Sequence, residues 1–134
     1  GKFKKRERES LCYWMKENLE QNKIIRGYSN IYFSPLHSST ISKYVFDILK
    51  NPYRGIYNLG SKNKISKYEY LKILAKGLKL NHSLIKKHSY SNYKAKVKRS
   101  KNMGMNINKL MKKFKFTASD IKFDIKKNIN DYKK

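Results

Sequence analysis

Apolar residues recur with a helical period over five stretches of the chain. In the clearest of them they fall at i, i+3, i+4, i+7 and i+8, and these residues are Ile41, Tyr44, Val45, Ile48 and Leu49. This spacing is typical of one face of an amphipathic helix. The Asn51-Pro52 pair ends the helix, because proline disfavours a helical backbone in the residue before it. One of three residues, Ser38, Ser39 or Thr40, is expected to provide its N-terminal cap.

The other four helical stretches are residues 7–20, 66–77, 106–114 and 121–132. The second of these opens with Ser66-Lys67-Tyr68-Glu69, a capping box in which the serine and the glutamate each bond the other's backbone N–H. It is expected to end near Gly77, because glycine can adopt the left-handed conformation of a helix C-cap. Thr117 or Ser119 is expected to cap the last helix.

Extended segments are predicted between the helices. Residues 23–33 form one or two of them around Gly27, with four apolar anchors: Ile24, Ile25, Ile31 and Phe33. Residues 55–60, which begin and end in glycine, are expected to form another strand. Residues 81–101 have the weakest periodicity and are interpreted as a strand and a long surface loop. Together these elements predict an α/β fold with a small mixed sheet and about five helices.

The length of 134 residues allows a single modest hydrophobic core. The formal net charge is +24, which is typical of proteins that bind polyanions. However, the positive charge comes from 28 lysines and only 5 arginines, and it is spread along the chain. Lysine, asparagine and isoleucine, which A/T-rich codons encode, supply 54 of the residues. The charge is therefore better explained by genome composition than by nucleic-acid binding.

The single cysteine, Cys12, excludes an internal disulfide and favours a reducing, cytoplasmic compartment. Its position on an apolar helix face indicates a small buried side chain rather than a nucleophile. The sequence contains no apolar run of about 18 residues that could span a membrane, and no signal peptide is recognisable. Because the basic opening GKFKKRERES is a poor start for an independent domain, we expect the sequence to be part of a longer protein.

No catalytic, metal-binding or cofactor-binding residues are predicted within the chain. A dinucleotide site needs closely spaced glycines between a strand and a helix, and the six glycines here lack that spacing. A tyrosine followed four residues later by a lysine, an arrangement that can lower the pKa of the tyrosine, occurs at Tyr68 and Tyr90, about as often as chance predicts. The three histidines have no partners at metal-ligand spacing.

Four motifs resemble extended short-chain dehydrogenase/reductases that act on nucleotide sugars, most closely the dTDP-4-dehydrorhamnose reductase-like branch. They are SNIYFSP at 29–35, GIYNLG at 55–60, SKYE at 66–69 and AKVKRSKNMGMNINKL at 95–110. Four positions depart from the family pattern. Asn30 and Asn106 each replace an acidic residue, Ile31 replaces a glutamine and Ser100 replaces a proline. The identity of the sugar therefore stays open.

The resemblance implies that residues 1–134 are a C-terminal substrate-binding region whose N-terminal Rossmann half is absent. The full-length enzyme would use NAD(P) to reduce or epimerise a nucleotide sugar, and this part alone would be inactive. Arg99 would bind the sugar nucleotide with Asn102 beside it, or else belong to a solvated basic loop. Phe33 and Pro35 would shape the pocket wall or belong to the core. A homodimer is compatible with this reading.

Two alternatives remain at this point. The chain could be a non-catalytic regulatory subunit of the same fold, because the catalytic pair of the family would lie upstream of every motif matched here. It could also be a basic nucleic-acid-binding module, in which case its retention on DNA would fall steeply with salt.

Overall fold

A computed structural model describes residues 10–91 and 100–133. The helices are α1 (Leu11–Glu20), α2 (Ser38–Lys50), α3 (Lys67–Gly77), α4 (Asn108–Phe114) and α5 (Ile121–Tyr132). The strands are short, and they are β1 (Ile25–Tyr28), β2 (Tyr32–Phe33), β3 (Ile65–Ser66), β4 (Ile85–His88) and β5 (Asn102–Met103). A single 3-10 turn, His82–Leu84, precedes β4. The predicted mixed α/β class with about five helices is therefore confirmed.

Helix α3 is the centre of the hydrophobic core. It begins with the predicted capping box, in which the Ser66 side chain accepts from the backbone N–H of Glu69 and the glutamate accepts from that of Ser66. One face of α3 buries Leu71, Leu74 and Ala75 completely or nearly so. Around this face pack buried residues of α1, β1, β4 and α5, which are Cys12, Met15, Leu19, Ile25, Ile85, Ile121 and Ile125.

The strands form two small sheets. In one, β1 and β4 pair in parallel, with Ile25 opposite Ile85. In the other, β2 lies between β3, which is antiparallel to it, and β5, which is parallel. Each sheet thus joins segments that are distant in sequence, and the second one determines where the motif residues meet.

Gly27 allows α3 to pack directly on β1. A Cβ atom added at this position would lie 2.7 Å from Cδ2 and 3.0 Å from Cα of Tyr68. Because a backbone atom of α3 is one of the contacts, the helix would have to move to accommodate even an alanine side chain. Gly27, around which the sequence predicted extended segments, is therefore required for α3 to pack closely on β1.

A buried carboxylate connects the N-terminus of α2 to α5. Asp124 is 1% exposed, and its Oδ1 accepts hydrogen bonds from the backbone N–H of His37 (3.0 Å) and the hydroxyl of Thr40 (2.5 Å). The Thr40 hydroxyl also accepts from the ammonium of Lys127 (2.8 Å). Nε2 of His37 bonds Oδ2 of Asp131 at 2.7 Å. Two donors at the start of α2 are thus satisfied by Asp124, in the first turn of α5, rather than by α2 itself.

Three predicted caps were wrong. The N-cap of α2 is His37, whose side chain accepts from the backbone N–H of Ser39, and not one of residues 38–40. The N-cap of α5 is Asp120, which accepts from the backbone N–H of Lys122. Helix α3 ends at Gly77 as predicted, but the left-handed residue is Lys79, with φ of 59°, and not Gly77. In each case a neighbouring side chain or residue fulfils the same local role.

The predicted apolar face of α2 is mostly in contact with solvent. Only Tyr44 among its members is buried, whereas Ile41, Val45 and Leu49 are exposed. Residues 55–60, predicted as a strand, have no strand partner in the described chain, and Ile56 is 88% exposed. Ile24, predicted as an apolar anchor, is also exposed. These residues have the expected pattern but not the expected burial.

No helix among residues 10–91 and 100–133 is both long enough and apolar enough to span a bilayer.

Candidate functional site

Two of the motif stretches run parallel to each other in the three-stranded sheet. Strand β2 belongs to the SNIYFSP motif and β5 to the 95–110 motif, and they pair in parallel with Tyr32 opposite Asn102 and Phe33 opposite Met103. The backbone N–H of Tyr32 donates to the carbonyl of Lys101 at 2.8 Å. About seventy residues of chain therefore separate two segments that the fold places side by side.

A cleft opens where these two strands end. Because β2 and β5 are parallel, their carboxyl ends lie at the same edge, where ligands bind in many α/β proteins. The cleft has a volume of about 240 Å³, and its lining residues are Ser34, Lys62, Asn63, Lys64, Asn102, Gly104, Met105 and Asn106. We call it the strand-end cleft.

Hydrogen bonds fix the loops around the strand-end cleft. The backbone N–H of Met105 donates to the hydroxyl of Ser34 (3.2 Å), which joins the segments following β2 and β5. The hydroxyl of Ser61 donates to the carbonyl of Asn63 (2.9 Å) and thereby shapes the loop before β3. These contacts involve the backbone, so the position of the cleft walls depends on the fold and not on flexible side chains alone.

Asn102 has a donor that the described protein does not use. Its Oδ1 accepts from the backbone N–H of Gly104 (3.2 Å), which orients the amide group. Its NH₂ group has no protein partner in the described ranges, and the residue is exposed at the cleft. An oriented amide with free N–H groups can donate to a hydroxyl, a carbonyl or a phosphate oxygen.

The strand-end cleft is cationic. Lys62 and Lys64 line it, and no aspartate or glutamate is among the lining residues. Lys64 places its ammonium 5.5 Å from the centroid of the Tyr32 ring. Gly104 packs against the aliphatic part of Lys64, since a Cβ added there would lie 3.2 Å from Cβ and Cδ of the lysine. Two lysines and an amide donor among the lining residues are a combination suited to an anionic, oxygen-rich ligand.

The four sequence-predicted site residues have different positions. Asn102 lines the strand-end cleft. Phe33 directs its ring toward Tyr70, with centroids 5.1 Å apart, and packs against the core. Pro35 is half-buried and directly follows the lining residue Ser34. Arg99 lies outside the described residues, and so does the lysine four residues after Tyr90.

Most of the lining was not predicted. The lysines at 62 and 64 lie in the loop between Gly60 and the capping box, where only turn-forming residues marked a loop. Gly104, Met105 and Asn106 lie within the 95–110 motif, where Asn106 was noted only as a departure from the family pattern. Ser34 belongs to the SNIYFSP motif at 29–35, which indicated this segment but not its place in the cleft.

The remaining chemistry-bearing side chains have structural contacts. Lys72 donates to the carbonyl of His82 (3.2 Å) and lies 5.9 Å from the centroid of the Tyr68 ring, so its ammonium faces the ring. The thiol of Cys12 lies 3.2 Å from the hydroxyl of Tyr70, and burial raises the pKa of the thiol and also that of the Tyr70 hydroxyl. No group of three or more potential metal ligands occurs within the described ranges.

The described residues do not fit a dinucleotide cofactor. Such a site needs glycine backbone approaching a pyrophosphate at the start of a helix. Gly27 lies in β1 beneath Tyr68, and Gly60 packs against Met105 and Ser34. Neither of these glycines, nor any other in residues 10–91 and 100–133, directly precedes the N-terminus of a helix.

The chain matches a family model described as the RmlD substrate binding domain over residues 3–134. Its fold is similar to dTDP-4-dehydrorhamnose reductase from Clostridium acetobutylicum, with a TM-score of 0.77 at 13% identity over 96% of this chain and 45% of that one. The corresponding enzyme from Bacillus anthracis, in complex with NADP, has a TM-score of 0.75 at 11% identity over 91% of this chain and 42% of that one.

A related fold occurs in dTDP-glucose 4,6-dehydratase from Bacillus anthracis in complex with NAD. Its TM-score is 0.71 at 15% identity, over 92% of this chain and 39% of that one. The chain therefore spans less than half the length of each of these three structures. No curated protein sequence matches the chain significantly.

Proposed function

This chain belongs to the RmlD substrate binding domain family, and we propose that it binds the sugar nucleotide for an NAD(P)-dependent oxidoreductase of the dTDP-4-dehydrorhamnose reductase type. The observation that carries this proposal is the strand-end cleft, which Lys62 and Lys64 line together with Asn102, whose amide donor has no partner among the described residues. Phosphate oxygens attract the ammonium groups, and the amide can donate to a phosphate, sugar or base oxygen. Arg99, three residues before Asn102, would complete the cationic edge.

The reaction class that we propose is reduction of a 4-keto sugar linked to a nucleotide, with epimerisation as the alternative within the same family. The cofactor and the catalytic tyrosine and lysine would belong to a separate dinucleotide-binding half. The part played by this chain is then to hold the substrate by its phosphates and to orient the sugar toward that half. On this proposal the 134 residues bind the ligand and do not catalyse alone.

The exposed face of α2 supports the proposal of a second half. Ile41, Val45 and Leu49 are spaced four residues apart, so they form one apolar stripe along the helix. Ile56, in the unpaired segment 55–60, adds a further exposed side chain. Contiguous apolar surface of this kind usually marks a surface covered by another unit. The dinucleotide-binding half would cover the stripe.

We expect Asn102→Ala to weaken the binding of dTDP-glucose by about 3- to 10-fold, which corresponds to the loss of one or two uncharged hydrogen bonds. Isothermal titration of the chain with dTDP-glucose measures this effect. Asn102→Asp keeps an acceptor for the N–H of Gly104 but introduces a negative charge, so it should weaken binding further without freeing the loop.

Asn130→Ala is the matched control for Asn102→Ala. Asn130 is an exposed asparagine in α5 and is not part of the strand-end cleft, so its replacement should leave the affinity unchanged. Equal affinities for the wild-type chain, Asn102→Ala and Asn102→Asp would contradict the proposed site.

A further inference from the structure

A second cationic cleft lies between the segment after α2 and helix α4. It has a volume of about 450 Å³, and its lining residues are Tyr53, Arg54, Tyr57, Lys109, Lys112 and Lys113. We call it the tyrosine-lysine cleft. It shares no lining residue with the strand-end cleft.

The two tyrosines are held by a third ring. Phe114, at the end of α4, makes edge contacts with Tyr53 (centroids 5.6 Å apart) and with Tyr57 (5.3 Å). The wall of the cleft is thus an aromatic cluster built from two segments more than fifty residues apart in sequence. Such a cluster restricts the motion of the tyrosine rings, which keeps them available as a surface on which a planar group can stack.

Two of the three lysine ammonium groups of the cleft lie over those rings. Lys113 is 3.8 Å from the centroid of Tyr53, and Lys109 is 5.0 Å from the centroid of Tyr57. Lys109 also donates to the carbonyl of Ile56 at 3.1 Å. No carboxylate lines the cleft, and none of its four cations forms an ion pair with a described residue. Four positive charges are therefore gathered around one opening without compensation from the described protein.

We propose that the tyrosine-lysine cleft binds a nucleoside diphosphate or triphosphate, with the phosphates held by the cations and the base stacked on a tyrosine. Phosphate oxygens attract ammonium and guanidinium groups more strongly than a ring face does. When the lysine side chains turn toward the phosphates, they uncover the faces of the tyrosine rings. The base of the nucleotide can then stack on one of these faces. Because the two clefts share no residues, this site is additional to the one proposed for the sugar nucleotide.

A small nucleotide fits these observations better than a nucleic-acid strand. The lining comes from two short segments, 53–57 and 109–113, and the volume is in the range of small-molecule sites. Proteins that bind single strands without sequence preference use an extended groove in which several bases stack in succession. The cleft provides two tyrosines, which suffice for one base.

The experiment is a titration of the chain with ADP, in which the NMR signals of the backbone amides of residues 53–57 and 109–113 are monitored. ADP should bind saturably, and adenosine and pyrophosphate should each bind at least about 10-fold more weakly, because each lacks one of the two kinds of contact. Lys112→Gln combined with Lys113→Gln should weaken ADP binding by about 10-fold or more. Tyr53→Leu should weaken the binding of ADP but not that of pyrophosphate.

Lys86→Gln combined with Lys87→Gln is the matched control, since these exposed lysines of β4 carry the same charge and lie outside the cleft. It should change the ADP affinity less than 2-fold. Equal weakening by the two double variants would show that net charge alone attracts the nucleotide, and that result would overturn the proposal. So would the absence of saturable binding, or an oligonucleotide that binds far more tightly than ADP at the same salt concentration.

Discussion

Asp124→Ala is expected to lower the free energy of unfolding by about 2 to 4 kcal/mol. The carboxylate is almost completely buried and accepts hydrogen bonds from the backbone N–H of His37 and the hydroxyl of Thr40. Alanine would leave both donors buried without an acceptor, and it would also remove the group that ties the start of α2 to α5. Urea unfolding followed by circular dichroism measures the loss.

Two further variants show whether this loss of stability is specific to the buried carboxylate or follows from any substitution in the region. Asp124→Asn retains one oxygen that can accept from His37 and Thr40, so it should be less destabilising than alanine. Asp131→Asn changes a mostly exposed carboxylate that bonds the same histidine, and it should have a small effect. If Asp124→Ala is no more destabilising than Asp131→Asn, the buried network does not hold α2 in place.

Arg99→Ala is expected, on the proposed function, to raise the KM for the nucleotide sugar by about 10- to 100-fold in an enzyme that unites this chain with a dinucleotide-binding half. The physical reason is the loss of the charge-assisted hydrogen bonds that we propose between the guanidinium and the phosphates. Arg99→Lys should be intermediate, because it keeps the charge but not the two-pronged geometry. Steady-state kinetics at saturating cofactor measures these effects.

Arg26→Ala is the control for this substitution, since Arg26 is an exposed arginine in β1 and does not line the strand-end cleft. It should leave the KM unchanged. An Arg99→Ala enzyme whose KM equals that of the wild type would remove Arg99 from the proposed site, and an equal increase in both variants would indicate a non-specific effect of charge.

Local sequence patterns predicted the helices well because their determinants are local. The capping box at Ser66 and the apolar spacing of α3 involve residues within a few positions of each other, and both are found as expected. Caps were less predictable. Several polar residues near a helix start can provide an acceptor, and His37 and Asp120 were used in place of nearby serines and threonines.

Burial could not be read from the same patterns. The residues of α2 at 41, 45 and 49 have helical spacing, but whether they are buried depends on which unit covers them. The same holds for residues 55–60, since a strand needs a neighbour for its backbone hydrogen bonds. On our proposal, the exposed stripe of α2 is the surface that the dinucleotide-binding half covers.

The candidate site was only partly predictable for a similar reason. Asn102 was identified through its motif, but its partners in the strand-end cleft come from the loop before β3 and from the residue after β2. The pairing of β2 with β5 brings these segments together, and no local pattern reveals that pairing. The sequence therefore indicated individual residues of the site, and the fold supplied their arrangement.

The most direct test of the nucleotide-sugar proposal is a titration of the isotopically labelled chain with dTDP-glucose, followed by the backbone amide signals of all residues. The account predicts saturable shifts centred on the strand-end cleft, at residues 31–35, 62–64 and 102–106. The absence of such shifts there, with changes either absent or confined to other lysine-bearing surfaces, would contradict it.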